Sequence, residues 1–469
     1  MKIKTVRSSW FEGYGYRLDC QPYLGGALET KTILERLPVP KQALRTLTAG
    51  HDGGIYNGPQ FSRTYVSGPD YGVPFVSSSS MLYADLSSLP YLSKALAYSK
   101  KLRHLELTSG ITLISCSGTI GKTVYVRPEM NGIWSSQHIM KVVPNHERIS
   151  SGYLYAYLSS KFGIPLLVSG TYGSIIKSLE PEHLFDLPVP RLNNQIELCI
   201  HQLIEQAAIK RTEANVAKRL AISRFEQQCG LPAPKSHSEY GQPMVGAVNA
   251  SRLAERMDAF YHSPANIDAQ LAFSEIGTQV GSRQLGEVAK VYIPGIFKRQ
   301  YANDPQFGYP YLTGADVFCI TPVSNKYLLK SVAEENRLIL TNGMILIHEA
   351  GQLYGLIGRS VMVGEYLDGF ACTNNMVRVV TYDRNDWGFV FALLSSEFGM
   401  RLVKREGAGS SIPHLEEGRI QQLQIPWPLE PVRSAISEIM VKNIDLLDEA
   451  NRLEAQAQEM LVTEIDRLS

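Results

Sequence analysis

The sequence has no apolar run approaching the roughly 20 residues that cross a bilayer. Its first residues, Met1 to Arg7, lead into no apolar stretch of the secretory kind. Its six cysteines, Cys20, Cys116, Cys199, Cys229, Cys319 and Cys372, lie far apart with no C-x-x-C pair. That spacing argues against a zinc site and against a disulfide scaffold. Ten scattered histidines form no metal cluster, and H-E-x-x-H is absent. Neither Asn-Pro-Pro-Tyr nor Asp-Pro-Pro-Tyr occurs, so the chain lacks the motif expected of an amino-methyltransferase. An excess of one charge is missing too: 46 Lys and Arg stand against 45 Asp and Glu. These absences leave a soluble, cytoplasmic globular protein as the expectation, with no membrane contact, metal or cofactor of its own.

What the sequence does have is itself, twice. Gly72-Val-Pro-Phe75 recurs as Gly308-Tyr-Pro-Tyr311, an offset of 236. Gly152-Tyr-Leu-Tyr-Ala-Tyr-Leu-Ser-Ser-Lys-Phe-Gly163 recurs as Gly388-Phe-Val-Phe-Ala-Leu-Leu-Ser-Ser-Glu-Phe-Gly399 at the same offset. Ile120-Gly-Lys122 and Ile357-Gly-Arg359, like Lys141-Val-Val143 and Arg378-Val-Val380, match at 237. A period this long is a duplicated domain, not a solenoid repeat. A duplicated protein suits a ligand that is itself twofold, such as duplex DNA.

Each half follows one plan. Short β-branched or aromatic segments such as Ile111–Ser115, Thr123–Val126 and Met344–Ile347 read as buried strands. Helices are expected over 152–162 and 388–398, each closed by a Phe-Gly stop. A proline pair then ends each globular part, Leu187-Pro-Val-Pro190 and Ile425-Pro-Trp-Pro428. A long helix follows each pair, over about 193–229 and 430–467. The expected organisation is 1–192, helix 193–230, linker 231–250 around Leu231–Pro243, 251–428 and helix 429–469. The fold class is α+β: two duplicated α/β domains, each followed by a long helix, the two helices packed as an antiparallel coiled coil.

Heptad seams support that pairing. In the second helix they run Ile436, Asn443, Ala450, Ala457 and Ile439, Leu446, Leu453, Met460, with Asn443 placed to fix register. In the first they run Ile196, Leu203, Lys210, Ala217 and Ile200, Ala207, Ala214, Ala221. Ile204, Phe225, Leu447 and Leu461 lie off these seams and predict a second contact surface. Antiparallel packing would put the globular parts at opposite ends of a helix pair roughly 55 Å long, against about 34 Å for a DNA turn.

Several motifs carry a family resemblance. Ser115-Cys-Ser-Gly-Thr-Ile-Gly-Lys122 follows the basic stretch from Lys94 through Lys100-Lys101-Leu-Arg103. Gly173-Ser-Ile-Ile-Lys-Ser-Leu179 precedes Leu187-Pro-Val-Pro190 and Gln195-Ile196, and Gly409-Ser-Ser-Ile-Pro-His-Leu415 precedes Ile425-Pro-Trp-Pro428. Arg17-Leu-Asp19 and Arg256-Met-Asp258 open the two halves. In their order and duplication these motifs resemble the specificity (S) subunits of type I restriction–modification systems, across essentially the whole chain. The resemblance implies two target-recognition domains, each reading half of a split DNA site, with the helices as a ruler. It implies no catalysis by this chain. The partners it implies are duplex DNA, two adenine methyltransferase subunits and restriction/translocase subunits. S-adenosylmethionine, ATP and Mg would be bound by those partners.

Candidate DNA contacts follow from residue chemistry. Gln137 and His138 occupy the positions that Asn374 and Asn375 occupy in the second half, and Gln and Asn can pair bidentately with adenine. Ser117, Thr119 and Lys122 stand on a glycine turn, as do Gln352, Tyr354 and Arg359 on the longer Gly351–Gly358 loop. Glycine- and hydroxyl-rich segments add Tyr172, Ser174 and Lys177, and then Lys404, Arg405, Ser410 and Ser411; such loops bring N–H and hydroxyl groups to phosphate. Lys100, Lys101 and Arg103 suit phosphate. Net charge is +7 over 1–192 but −2 over 231–428 and −5 over 429–469, so the first half is better equipped for phosphate.

Bland and rival readings stand beside these. Gly118-Thr-Ile-Gly-Lys-Thr123 imitates a phosphate-binding loop, but two residues separate its glycines where four are needed, and Cys116 stands where the first glycine belongs. A structural hairpin explains it as well. Asp19, Glu29 and Lys31 resemble a nuclease triple with no counterpart in the second half. The alternatives are therefore a nuclease or NTPase, or a coiled-coil scaffold of a related phage-defence complex.

Overall fold

A computed structural model describes residues 21–169, 178–234, 245–254, 256–353 and 355–469, together with 5, 6, 8 and 10. Tyr172, Ser174, Lys177, Tyr354, Arg17, Asp19 and residues 235–244 of the expected linker lie outside them. The helices that position the site are α1 (Ser151–Ser159), α2 (Asn194–Cys229), α3 (Trp387–Ser395), α4 (Glu397–Arg405) and α5 (Glu430–Leu468). The chain forms two compact units, residues 1–212 with 449–469, and residues 213–448.

Among the described residues the first unit holds ten strands. They are β1 (Lys41–Ala43), β2 (Ile55–Tyr56), β3 (Tyr65–Val66), β4 (Gly72–Val76), β5 (Tyr91–Ser93), β6 (Thr112–Ser115), β7 (Thr123–Tyr125), β8 (Trp134–Ser135), β9 (Ile139–Val142) and β10 (Pro188–Pro190). One sheet has the order β2-β9-β6-β7, all antiparallel. A second has the order β3-β5-β4-β8, with β4 and β8 parallel. β1 pairs with β10, so the proline pair is an edge ribbon, where missing donors are tolerated.

The second unit repeats this topology. Its strands are β11 (Ser282–Gln284), β12 (Ala289–Tyr292), β13 (Tyr301–Ala302), β14 (Gly308–Leu312), β15 (Tyr327–Leu329), β16 (Ile345–His348), β17 (Ser360–Met362), β18 (Ala371–Cys372), β19 (Met376–Thr381) and β20 (Gln424–Pro426). The orders are β12-β19-β16-β17, β13-β15-β14-β18 and β11-β20. The duplication legible in the sequence is thus a duplication of strand order.

The repeated glycine that opens α1 and α3 has a packing reason. A Cβ on Gly152 would lie 2.8 Å from the His201 carbonyl oxygen of α2, and one on Gly388 would meet the Ser437 carbonyl oxygen of α5 closer still. The short helix therefore crosses the long helix backbone to backbone. Gly152 N–H donates to His201 Nδ1 at 3.1 Å and Gly388 N–H to Ser437 Oγ at 3.0 Å.

The helix bounds over 152–162 and 388–398 need correction. α1 ends at Ser159 and α3 at Ser395, and Phe-Gly is not the stop. Ser160 Oγ accepts from the N–H of Gly163, and Ser396 Oγ from that of Gly399, each at 3.1 Å. Each serine thereby starts another helix, Gly163–Ser169 or α4.

The long helices follow the sequence closely, with one shift. In the first unit Lys210 of α2 pairs with Glu449 of α5, while Ile196 and Cys199 line one cavity with Met460 and Thr463, so α2 and α5 run antiparallel there. In the second unit Asn443 Nδ2 donates to the Ala214 carbonyl at 2.7 Å, a buried bond on the seam. Ile200, Ala207, Ala214 and Ala221 are buried as expected, as are Ile436, Asn443, Ala450 and Ala457. The companion seams fall largely one residue later, through Glu197, Ile204, Arg211 and Phe225, and through Met440, Glu454 and Leu461, while Ala217 and Leu446 are buried as expected. Both long helices also pack on the sheet-and-helix core of each unit, which widens the buried face. Ile204 and Leu461 enter the first core, and Phe225 the second, so they offer no free contact surface. The exposed apolar residues of α2 are instead Leu198, Ile209, Val216 and Leu220.

Candidate nucleic-acid interface

In the first unit, β6 and β7 form a hairpin whose connection is tied to its own base. Ser115 N–H donates to the Lys122 carbonyl at 2.9 Å. Ser115 Oγ donates to the Thr119 carbonyl at 2.6 Å and accepts from Lys122 N–H at 3.0 Å. Gly118 (φ 76°) and Gly121 (φ 83°) supply the left-handed turns that close the loop. Thr119 and Lys122 are exposed and Ser117 is half-buried. A strand follows, not a helix, so no helix N-terminus is offered to a nucleotide phosphate. The Lys122 loop is a hairpin, and the NTPase reading loses its site.

A second turn, Ser136–Ile139, packs beside this hairpin. Its His138 carbonyl accepts from Cys116 N–H at 3.0 Å, and Ser136 N–H reaches the Val76 carbonyl at 2.9 Å. Gln137 and His138 are half-exposed on it. Arg63 donates to Gln137 Oε1 at 3.2 Å. Leu179 N–H binds the Cys116 carbonyl at 3.0 Å, and Ser178 Oγ binds Glu180 at 2.9 Å. One sheet edge thus gathers Arg63, Ser117, Thr119, Lys122, Gln137 and His138. Burial raises the Cys116 thiol to about 11, so it is no nucleophile at neutral pH. Lys100, Lys101 and Arg103 are exposed beyond β5. Lys101 Nζ binds the Gln60 carbonyl at 2.9 Å, which ties this basic stretch to the segment leading to Arg63.

The second unit builds the same edge from other side chains. Glu349 N–H donates to the Asn375 carbonyl at 3.2 Å, and Thr373 N–H to the Leu312 carbonyl at 3.1 Å. Asn374 is half-buried and Asn375 exposed. Gln352 Nε2 donates to the Ser411 carbonyl at 3.0 Å, bringing the 351–358 loop to the exposed Ser410 and Ser411. Buried Glu349 and exposed His414 meet at 2.7 Å between Glu349 Oε1 and His414 Nδ1. Lys404 packs against Gly358, and its amine is lowered to about 8, by burial first and by Arg359 second.

Arg405 is not part of this edge. It is the last residue of α4, in register with Leu402 and Phe398 on the buried face. Its guanidinium lies 3.8 Å from the Tyr261 ring centroid, and Nε donates to the Tyr261 carbonyl at 3.2 Å. Arg256 stacks on the same ring at 4.7 Å and donates to the Arg405, Glu406 and Gly407 carbonyls. The Arg256-Met-Asp258 motif therefore ties down the end of α4. Arg63, Glu349 and His414 were missed as site residues. They join through contacts between distant segments that no local pattern records.

Glu29 and Lys31 stand on a helix, Ala27–Arg36, two positions apart and so on different faces. Among the described residues, no group of three or more His, Cys, Asp or Glu is placed to hold a metal ion. No helix among them is long and apolar enough to cross a membrane.

No protein-family model matches the sequence, and no curated protein does. Among solved structures the chain is similar to a type I restriction–modification S subunit from M. genitalium: TM-score 0.39, 11% identity, 92% of this chain and 96% of that one. It is similar to the HsdS subunit from Thermoanaerobacter tengcongensis, with TM-score 0.26, 13% identity, and 92% and 97% covered. A chain solved in a study of type I restriction–modification complex assembly gives 0.28, 14%, 92% and 97%.

Proposed function

We propose that this chain is a non-catalytic specificity subunit that reads a bipartite site in duplex DNA. The observation that carries the reading is one polar sheet edge built twice, on the same strand order, with different side chains on the reading turn: Gln137 and His138 in one unit, Asn374 and Asn375 in the other. The amides of Gln137, Asn374 and Asn375 suit bidentate pairing with adenine in the major groove. Lys122, the hydroxyls of Ser117 and Thr119, and those of Ser410 and Ser411 suit phosphate oxygens. Each unit reads its own half-site, and the differing turns give the halves different sequences.

The order and duplication of the sequence motifs support the rest. The chain directs partner adenine methyltransferase subunits, and with them restriction subunits, to the site. S-adenosylmethionine, ATP and Mg belong to those partners, and the complex works in the cytoplasm. The test is to map adenine methylation in cells with and without this gene. A methylated motif of two specific halves around an unread spacer, lost with the gene, is expected. Identical methylation in both would refute the proposal.

A further inference from the structure

At the same place in each unit an interior strand carries a basic side chain that the fold buries completely. Lys141 on β9 and Arg378 on β19 both have 0% exposure. Their neighbours on those strands are apolar: Ile139, Met140 and Val142, and Met376, Val377 and Val379. A leucine would fill such a position at far less desolvation cost. Their hydrogen bonds go to backbone carbonyls. Lys141 Nζ donates to Ile139 at 2.9 Å and to Ser136 at 3.5 Å. Arg378 donates to Met376 at 3.2 Å, Cys372 at 3.1 Å and Thr373 at 3.2 Å.

Those carbonyls are not scattered. Ser136 and Ile139 bracket Gln137 and His138. Cys372, Thr373 and Met376 bracket Asn374 and Asn375. From below the sheet edge, each basic side chain holds both ends of the turn whose middle faces outward. Bidentate recognition of a base needs two hydrogen bonds in line at once, so a turn free to rock would lose its selectivity.

We propose that Lys141 and Arg378 are positioning residues, each clamping the reading turn of its own unit and so setting base preference in one half-site. This rests on the DNA-reading function proposed above. The two units show that either basic side chain folds at this position, with arginine's fork holding one carbonyl more than lysine.

The test is methylation mapping in cells carrying the full-length gene as wild type, Lys141→Met, Lys141→Arg or Arg378→Lys, with the amount of chain measured alongside. Lys141→Met is expected to weaken discrimination about tenfold at a base of one half-site, leaving the other half-site as in wild type. Lys141→Arg restores it. A Lys141→Met chain that accumulates normally and keeps the wild-type motif overturns the clamp, as does equal loss in both halves. If Lys141→Met does not accumulate, Arg378→Lys decides, because the first unit shows that a lysine folds at this position. Relaxation of the other half-site supports the clamp, and an unchanged half-site overturns it. A wild-type gene that directs no bipartite motif would instead remove the reading beneath it.

Discussion

Glu454 joins three helices of the first unit through one carboxylate. Its Oε2 lies 2.5 Å from the Arg211 guanidinium of α2, and its Oε1 accepts from the Tyr155 hydroxyl of α1 at 2.6 Å. Arg211 also donates to Asn451 Oδ1 at 3.0 Å. The two charged side chains are only 7% and 6% exposed. Burial, and then the neighbouring carboxylate, raises the Tyr155 hydroxyl well above its ordinary value, so it remains a donor. Glu454→Leu takes the carboxylate away from the buried guanidinium, which costs about 3–5 kcal/mol. The orphaned Tyr155 hydroxyl adds roughly 1–3 kcal/mol. Adding Arg211→Met removes the buried charge and Tyr155→Phe the stranded hydroxyl, so the triple variant should recover most of the loss. The assay is urea unfolding of the full chain by circular dichroism, reading the midpoint at unchanged slope. A loss below about 1 kcal/mol in the single variant, or a triple variant no more stable than the single, would refute the argument.

Two further outcomes follow from the site. Burial lowers the Lys141 amine from 10.5 to about 7, so above pH 7 the unfolded chain binds the extra proton. Stability should therefore rise with pH between about 7 and 10.5, by up to roughly 2 kcal/mol between pH 7 and 8.5. Lys141→Met should lack this contribution, and equal pH slopes in the two proteins would contradict it. Lys122→Ala should weaken binding of the assembled complex to all duplexes alike and reduce the salt slope by about one. A change in base preference would move Lys122 from phosphate to base contact.

Much of the frame was legible because it rests on spacing. The offset of 236 residues marked the duplication, proline pairs marked the starts of the long helices, and alanines at heptad spacing marked the seam through Ala207, Ala214 and Ala221. The companion seam slipped in large part by one residue because α2 and α5 also bury a face against the core of each unit, which a two-helix pattern ignores. Arg405 was read as loop because Gly407 and Gly409 follow it. Its spacing of three from Leu402 and seven from Phe398 was the available sign that it belongs to the buried face of a helix. In the sequence Lys141 and Arg378 mark only a repeated tripeptide, each before two valines. Only the folded turn shows whose carbonyls they hold. The pairing of Arg63 with Gln137, and of Glu349 with His414, joins segments more than 60 residues apart, where sequence pattern has no reach.

The central claim is that each unit reads its own half of the DNA site. The direct test replaces residues 1–190 with the corresponding segment of a related chain and maps adenine methylation in cells carrying the hybrid. One half of the methylated motif should change to a new sequence, and the other should stay identical to that of the parent. A motif in which both halves change together, or neither does, would contradict it.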